Sequence, residues 1–374
     1  MMENALGPLS RLDGLDAIIG GHTHEKIDKA IASGNSGFGT VLIVQAGSRG
    51  CRLGVIDLTL MDRPRWSVVA WNARLVQPKP NSAIPQTSGS LLVAHQNVIR
   101  QLAEPVGTAT RPLCNHFSAL GFDDGVKLTH QAFMHHVRDV APKIDLPLVA
   151  CFTSFRSDGV FGSKNYLSTG DTIIRQRDMA SVVPFNNPIC MLEISAKDLR
   201  QWISQSSRHL AQIRPSETPQ ALISGETPSY FFDQFCGLTY QFDLSQSPDD
   251  HRRRVPVFSI EGSPLTDEDR VAVIASTYRA HGGGGFVYID PHASVWESKI
   301  GARDIVAKYL KSIDAFAPSD TPLWTFSPFP NTRVAVDLPE SCLNVPQLHG
   351  LEIIRLEGTK RQVQLHLREL APTG

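Results

Sequence analysis

The 374-residue sequence lacks several features that would assign it to a specialised class of protein. It has no run of eighteen apolar residues, so no membrane-spanning helix is predicted. The opening stretch MMENALGPLSRLDG has neither a basic nor an apolar region, so no signal peptide is indicated and the chain by itself predicts a cytosolic protein. Its 36 lysines and arginines nearly balance 37 aspartates and glutamates, which gives no indication of a nucleic-acid polymer or a membrane surface as partner. A small-molecule partner is the better expectation.

The cysteines form no recognisable framework. They are widely spaced and include no CxxC pair, which argues against a zinc knuckle and a disulfide scaffold and favours buried free thiols. The six are Cys51, Cys114, Cys151, Cys190, Cys236 and Cys342. The length exceeds what one hydrophobic core usually supports, so two domains are predicted.

The hydrophobic pattern of the first 77 residues predicts a short helix followed by strands. LDAIIG is continuously apolar, which is typical of a strand buried on both faces of an α/β sheet. Residues 78–89, PKPNSAIPQTSG, have little to bury, so a domain boundary is expected there, with a hinge helix up to residue 104. The predicted elements are a helix at 3–13 and strands at 15–20, within 40–60 and at 66–77.

A longer second segment, residues 105–330, mixes strands and helices. Two helices are indicated, at 127–141 and at 195–213, the second with Ser195 as its N-cap. The final stretch, residues 331–374, matches no known module, and its alternation over 346–370 predicts a β-hairpin of unknown role.

Two histidines, His22 and His24, follow the predicted strand in LDAIIGGHTHEKID. Gly20 and Gly21 leave room for an ion or phosphate there, and imidazole is a good ligand for zinc, manganese or iron. On its own such a pair is more often structural than metal-binding. Two histidines also cannot hold two ions, and the preceding residues lack further ligands at metal-site spacing.

The stretch DAIIGGHTHE resembles the closing GHxH motif of the calcineurin-like metallophosphoesterases, in the form found in the 5′-nucleotidase family. The resemblance implies that His22 and His24 each bind one of two divalent metal ions, zinc, manganese or similar. The family's other ligand motifs, DxH, GD and NH[DE], precede GHxH and do not occur before His22 in this sequence. The sequence is therefore expected to be N-terminally truncated, with an incomplete metal site.

Two features of the second segment suggest a surface for a flat heterocycle. Phe185 and Asn187 lie in VVPFNN between two apolar strands, and Tyr278 lies between a strand and four glycines in STYRAHGGGGF. An exposed aromatic ring can stack on a base, and an amide can hydrogen-bond to it. Taken separately, Phe185 could be a core residue, Asn187 a turn former and the glycines a flexible loop.

These segments, with PSYFFDQFCGLTYQFDLSQ, resemble the 5′-nucleotidase C-terminal domain, closest to the 2′,3′-cyclic-nucleotide 2′-phosphodiesterase/3′-nucleotidase branch. The resemblance implies that Phe185 and Tyr278 sandwich the base and that Asn187 hydrogen-bonds to it. Arg156 is a weaker match, because the family's GGRGG loop reads FRSDGVFG here. Gly284 stands where the 5′-nucleotidase branch has an acidic residue.

The expected fold is thus α/β and α+β: the C-terminal part of a four-layer αββα metallophosphoesterase domain, residues 1–77, followed by a mixed α/β nucleotidase C-terminal domain. The resemblance implies a metal-dependent nucleotide phosphohydrolase of periplasmic or extracellular location, acting on a nucleotide or nucleoside. Two alternatives stay open. One is a catalytically incomplete nucleotide-binding module, and the other is a purely structural α/β protein. The sequence does not indicate an oligomeric state.

Overall fold

The computed structural model describes residues 6–9, 11–21, 23–33, 40–62, 66–79, 89–157, 166–216, 218–286, 289–329, 332–338, 342, 352–354 and 361–366. The chain divides into two compact units, residues 1–94 and 95–374, and the division falls inside the segment 78–104 that was predicted to be a linker and hinge helix. The domain borders at 77, 104 and 330 stay predictions. No helix in the described ranges is both long enough and apolar enough to cross a bilayer.

The first unit follows the predicted order of elements. Strand β1 pairs in parallel with β3, which also pairs antiparallel with β2, and β4 and β5 form a separate antiparallel hairpin. The elements are α1 (Leu6–Leu9), β1 (Ala17–Gly20), β2 (Lys26–Ser33), β3 (Thr40–Ala46), β4 (Leu53–Asp62) and β5 (Trp66–Val76), followed by α2 (Gly89–Ala103), which spans the division between the units.

The prediction that β1 is buried on both faces is wrong for this chain. Ile18 packs against Val41 and Ile43, but the neighbouring Ile19 is 83% exposed. The physical reason is that β1 is an edge strand of a sheet of only three described strands, and the residues of β3 to β5 that pack against Ala17 on its second face leave Ile19 exposed. LDAIIG therefore contains more apolar side chains than the described part of the unit buries.

The second unit is built on a five-stranded mixed sheet with the order β11-β7-β15-β9-β16. Its strands are β6 (Pro105–Thr108), β7 (Leu148–Thr153), β8 (Ile173–Arg175), β9 (Pro188–Ser195), β10 (Gln220–Ala221), β11 (Asp233–Cys236), β12 (Thr239–Phe242), β13 (Phe258–Ile260), β14 (Ser263–Pro264), β15 (Arg270–Ser276), β16 (Ser294–Gly301), β17 (Thr325–Phe326), β18 (Arg333–Leu338), β19 (Glu352–Ile354) and β20 (Arg361–His366). Its helices are α3 (Asp124–Val140), α4 (Gln176–Val182), α5 (Ala196–Ser206), α6 (His251–Arg254), α7 (Thr277–Ala280) and α8 (Ala302–Ser312).

This central sheet is buried on both faces, since successive side chains of a strand point to opposite sides. In β15, Val271 and Val273 belong to the core shared with α5, whereas Ala272 and Ile274 belong to the core shared with α3 and α8. None of the six cysteines, all of which the structure describes, forms a disulfide: Cys151, Cys190 and Cys342 are buried, and the other three are half-buried. The sheet is therefore a rigid platform, and its edges are where polar side chains can reach a ligand.

The predicted helix at 195–213 begins as expected, because the Ser195 side chain accepts a hydrogen bond from the Asp198 amide. It ends earlier, at Ser206, since Ala211 N–H donates to the Leu222 carbonyl instead of continuing the helical pattern. In the final stretch, β19 and β20 pair antiparallel as a hairpin would. The preceding strand β18 pairs with both β20 and β10, and its Val334 is fully buried, so this strand is part of the second unit's core.

Candidate functional site

One edge of the central sheet gathers the segments that the sequence singled out. Ser276, at the end of β15, pairs with Ile189 near the start of β9, so Tyr278 and Phe185 leave neighbouring strands at the same edge. Strand β7 runs parallel to β15, and its last residue, Thr153, lies at this edge as well, directly before Phe155 and Arg156. This edge includes the carboxyl ends of parallel strands, which is where α/β sheets commonly bind ligands.

Both aromatic side chains are exposed at this edge. Phe185 is 63% exposed and Tyr278 is 57% exposed. Neither is therefore buried in the core, where large aromatic side chains most often lie. The Phe155 ring packs against Phe185 in an edge-to-face arrangement, with ring centroids 5.5 Å apart. This contact supports one edge of the Phe185 ring and leaves more than half of its surface accessible.

The turn that carries Phe185 is fixed to the start of α8. The Arg303 guanidinium donates to the carbonyl oxygens of Val183 and Pro184, at 2.9 and 2.6 Å. The Asn186 side chain accepts from the Arg303 amide at 2.8 Å and donates to Asp304 at 2.9 Å. These hydrogen bonds hold the backbone on both sides of Phe185, so the exposed ring stands on a rigid turn.

Asn187 is half-buried in the same turn, and its backbone carbonyl accepts from the Ala302 amide at 2.8 Å. Its side-chain amide makes no hydrogen bond to any residue that the structure describes. The neighbouring Asn186 uses its side chain to fix the turn. The Asn187 side-chain amide is therefore the one available to hydrogen-bond to a ligand.

Tyr278 lies in the short helix α7 and packs against the glycine-rich loop that follows. A Cβ atom added to Gly283 would lie 2.4 Å from the Tyr278 carbonyl oxygen and 2.5 Å from its ring. Gly284 has a φ of +83°, and a Cβ atom there would lie 2.1 Å from Arg279 Nη1. An acidic side chain at 284 therefore could not be accommodated without displacing Arg279, which gives a physical reason for glycine at this position.

Arg156 is exposed next to Phe155, and its guanidinium donates to the Ser181 hydroxyl at 2.8 Å. Beneath it, Asp123 is buried and caps α3 by accepting from the Val126 amide at 2.9 Å. Burial raises the pKa of the Asp123 carboxyl. The cavity between these residues has a volume of only about 10 Å³, enough for about one water molecule. A ligand larger than water would therefore have to lie on the outer surface, against Phe185.

A larger cavity of about 620 Å³ opens elsewhere in the second unit, beside α5 and α6. Its walls carry opposite charges that pair with each other, as in the ion pairs of Arg200 and Arg252 with Asp267. Its lining contains no phenylalanine, tyrosine or tryptophan and consists of Lys197, Arg200, Gln201, Ser247, Asp249, Asp250, His251, Arg252 and Asp267. A base could stack there only on the His251 ring or on arginines that already pair with Asp267, so the edge with two exposed aromatic rings is the stronger candidate despite its smaller enclosed volume.

Of the two predicted metal ligands, only His24 lies within the described residues. His22 lies outside the described residues, so its assignment stays a prediction. His24 is exposed in the loop between β1 and β2, with a φ of +62°. Within the described ranges no three histidine, cysteine, aspartate or glutamate side chains are grouped as metal ligands. The described residues of this chain therefore do not by themselves make a dinuclear site.

This geometry predicts weak metal binding by the chain. A bound zinc ion usually needs three or four protein ligands, and the GHTH loop offers two. In a calorimetric titration of the 374-residue chain with Zn²⁺, we expect no tight pair of sites and no change on His24→Ala. Tight binding of two ions per chain, lost in His24→Ala, would contradict this expectation.

Sequence reasoning missed the residues that support the exposed rings. Phe155 and Arg303 act through contacts with the turn at Phe185, and Arg279 acts through contacts with the glycine loop. The one signal for Arg279 in the sequence was its position between the apolar strand β15 and the glycine run that begins at Gly282. No comparable signal marked Arg303, which is one of several charged residues at the start of an amphipathic helix.

Comparisons with known proteins show what this chain is similar to. Residues 121–290 match the family model described as the 5′-nucleotidase C-terminal domain. The trifunctional nucleotide phosphoesterase YfkN of Bacillus subtilis is 25% identical over 90% of this chain and 25% of its own length. The 2′,3′-cyclic-nucleotide 2′-phosphodiesterase/3′-nucleotidase of Haemophilus influenzae is 26% identical over 87% of this chain and 55% of its own length. The chain thus spans about half the length of these relatives, or less.

Solved structures show the same fold at low sequence identity. A 5′-nucleotidase from Staphylococcus aureus superposes with a TM-score of 0.60 at 18% identity, covering 83% of this chain and 56% of that one. A 5′-nucleotidase precursor from Thermus thermophilus gives 0.50 at 18% identity, covering 87% and 62%. The predicted fold class, part of a metallophosphoesterase domain followed by a mixed α/β domain, is confirmed. This protein carries a 5′-nucleotidase C-terminal domain at residues 121–290.

Proposed function

We propose that the second unit binds the base of a nucleotide between Phe185 and Tyr278, with Asn187 hydrogen-bonding to the base. The observation that carries this proposal is the pair of exposed aromatic rings at one edge of the sheet, on neighbouring strands. Each ring is held by its surroundings, so little conformational entropy is lost when a base stacks on it. Arg156 is the cation next to this surface and is proposed to contact the phosphate or ribose.

The activity that this surface would serve is nucleotide phosphoester hydrolysis, of the cyclic-nucleotide phosphodiesterase/3′-nucleotidase or 5′-nucleotidase type. Support comes from the relatives' names and from the 5′-nucleotidase domain in this chain. A pair of divalent ions, when bound, would supply the hydroxide and stabilise the negative charge that develops on the phosphate oxygens. His22 and His24 are proposed to hold part of that site, with the remaining ligands outside the described residues. A periplasmic or extracellular location belongs to the same proposal.

A second candidate function fits the 374 residues taken alone: a nucleoside-binding module without catalysis. It is favoured by the contrast between the two units. Phe185, Asn187 and Tyr278 all lie within the described residues of the second unit, whereas the described residues of the first unit group no metal ligands. Both candidates predict base binding at the same surface, and they differ in whether this chain hydrolyses 2′,3′-cyclic AMP, 3′-AMP or 5′-AMP with Mn²⁺ or Zn²⁺.

Removing either ring should weaken adenosine binding without loss of fold. Stacking of a base on an aromatic side chain contributes about 1–3 kcal/mol, so Phe185→Ala or Tyr278→Ala should raise the dissociation constant about 10- to 100-fold. Because both rings are exposed, the melting temperature should change little. Isothermal titration calorimetry with adenosine measures the first quantity, and differential scanning calorimetry measures the second.

A matched control is Trp66→Ala, which removes an equally exposed aromatic ring from the first unit. It should leave adenosine binding unchanged. Equal weakening by all three variants would show a nonspecific effect. Wild-type affinity in both Phe185→Ala and Tyr278→Ala would reject the proposed base site.

A further inference from the structure

Arg279 is the most densely hydrogen-bonded group near the candidate site, and nothing in base stacking requires it. Its side chain is buried, directly after the exposed Tyr278 and just before the glycine loop at 282–285. It forms an ion pair with Asp233, the first residue of β11, which is also buried. Burying two charged groups costs free energy, so the contacts that they make in this position must offset that cost.

The ion pair is bidentate. Arg279 Nε lies 2.8 Å from Asp233 Oδ2, and Nη2 donates to Oδ1 at 2.8 Å. The Trp202 indole N–H donates to the same carboxylate at 2.8 Å. Burial raises the pKa of the Asp233 carboxyl, while the charge of Arg279 and the hydrogen bonds from Arg279 and Trp202 act in the opposite direction. The carboxylate thus fixes the plane of the guanidinium.

The remaining donors of Arg279 point at backbone carbonyls of two other segments. Nη1 donates to the Gly283 oxygen at 2.6 Å, and Nη2 donates to the Tyr230 oxygen at 3.2 Å. The guanidinium also lies over the Phe286 ring, 4.3 Å from its centroid. One side chain therefore joins β11, the Tyr230 segment and the glycine loop.

The glycine loop in turn determines where the Tyr278 ring lies. The Gly283 amide donates to the Tyr278 carbonyl at 2.9 Å, and the ring lies against Gly283 so closely that a Cβ atom would not fit between them. A shift of the loop must therefore move the ring or remove its support. Glycines alone could not hold this conformation, because they gain the most conformational freedom on release.

We propose that the Arg279–Asp233 ion pair is a positioning device that fixes the glycine loop and thereby orients Tyr278 for stacking on the base. Arg279 acts on the Tyr278 ring through Gly283, and its guanidinium also lies over that ring, 6.0 Å from the centroid. The proposal rests on the proposed function, because it assigns the purpose of the device to base binding. Lysine cannot replace arginine here, since one ammonium cannot make the bidentate contact and reach the Gly283 carbonyl at once.

The test compares Arg279→Lys and Asp233→Asn with the wild-type chain in two measurements. Hydrogen exchange followed by mass spectrometry reports on the loop without any ligand. We expect amides 278–286 to exchange at least tenfold faster in both variants, while amides of β15 stay protected. Calorimetry with adenosine should show a dissociation constant raised at least tenfold. If Asp233→Asn does not fold, Arg279→Lys alone carries the test.

Arg254→Lys is the matched control. Arg254 is also a buried arginine, and its guanidinium donates to the Ser207, Leu210 and Gln246 carbonyls in the same core, away from the glycine loop. This variant should lower the melting temperature but leave loop exchange and adenosine affinity unchanged. If it changes both as strongly as Arg279→Lys does, the role of Arg279 is only general stability and the proposal is overturned.

The outcomes separate the proposal from the function on which it rests. Unchanged loop exchange in Arg279→Lys overturns the positioning role. Faster loop exchange with unchanged adenosine affinity overturns the link to Tyr278. If wild-type protein does not bind adenosine, the proposed function fails, and the exchange data alone decide whether the ion pair fixes the loop.

Discussion

Gly237→Ala should lower the free energy of unfolding of the second unit by about 2–4 kcal/mol, among the larger effects expected of a single methyl group. Gly237 lies in the turn between β11 and β12 with a φ of +96°, which side chains rarely adopt. An added Cβ atom would also lie 2.4 Å from the Leu148 carbonyl oxygen. Because that oxygen belongs to the backbone of β7, the strand or the turn must move.

The control for this prediction is Gly262→Ala. Gly262 has a similar φ, +80°, but an added Cβ atom would meet no heavy atom within 4 Å. It should therefore cost only the backbone preference, about 1 kcal/mol. Urea denaturation of both variants measures the difference. Equal destabilisation by the two substitutions would mean that the approach of Gly237 to β7 is not as close as described.

Gly301→Ala should weaken adenosine binding about 10- to 100-fold, the effect of losing one stacked ring. Gly301 is the last residue of β16, and its φ of −76° suits any residue, so alanine imposes no backbone strain. An added Cβ atom would lie 2.2 Å from the Asn186 side-chain oxygen and 2.5 Å from its backbone oxygen. The turn that presents Phe185 must therefore shift, and the Asn186 side chain loses the hydrogen bond that it accepts from the Arg303 amide and the one that it donates to Asp304.

Two controls isolate the effect on the turn. Asn186→Ala removes the obstructing side chain and two hydrogen bonds but leaves Phe185 in place, so it should weaken adenosine binding less than Gly301→Ala does. The double variant should recover part of the affinity, because the side-chain conflict is relieved. Wild-type affinity in Gly301→Ala would show that the turn does not position the base-stacking ring.

Much of this architecture follows from the sequence because it depends on local patterns. Alternating or continuous apolar residues indicated β1, β3, β5 and the helix α3, and Ser195 was identified as a cap from its position alone. The aromatic pair was also predictable, since an aromatic residue next to asparagines or glycines at a strand end is a poor core residue. These signals need only a few neighbouring positions.

The supporting contacts could not be predicted in the same way. Arg303 and the carbonyl oxygens it holds are about 120 residues apart, and Arg279 and Asp233 are 46 residues apart. Only the pairing of β9 with β15 and β16 brings such segments to one edge. The exposure of Ile19 was likewise invisible in the sequence, because an apolar run predicts what a strand is able to bury and not what covers it.

A crystal structure of the 374-residue chain with adenosine tests most directly whether a nucleotide base stacks between Phe185 and Tyr278. We expect a base between these two rings, with its edge toward the Asn187 amide. A base bound elsewhere, such as in the cavity lined by Arg200 and Asp267, with Phe185 and Tyr278 bare, would contradict it.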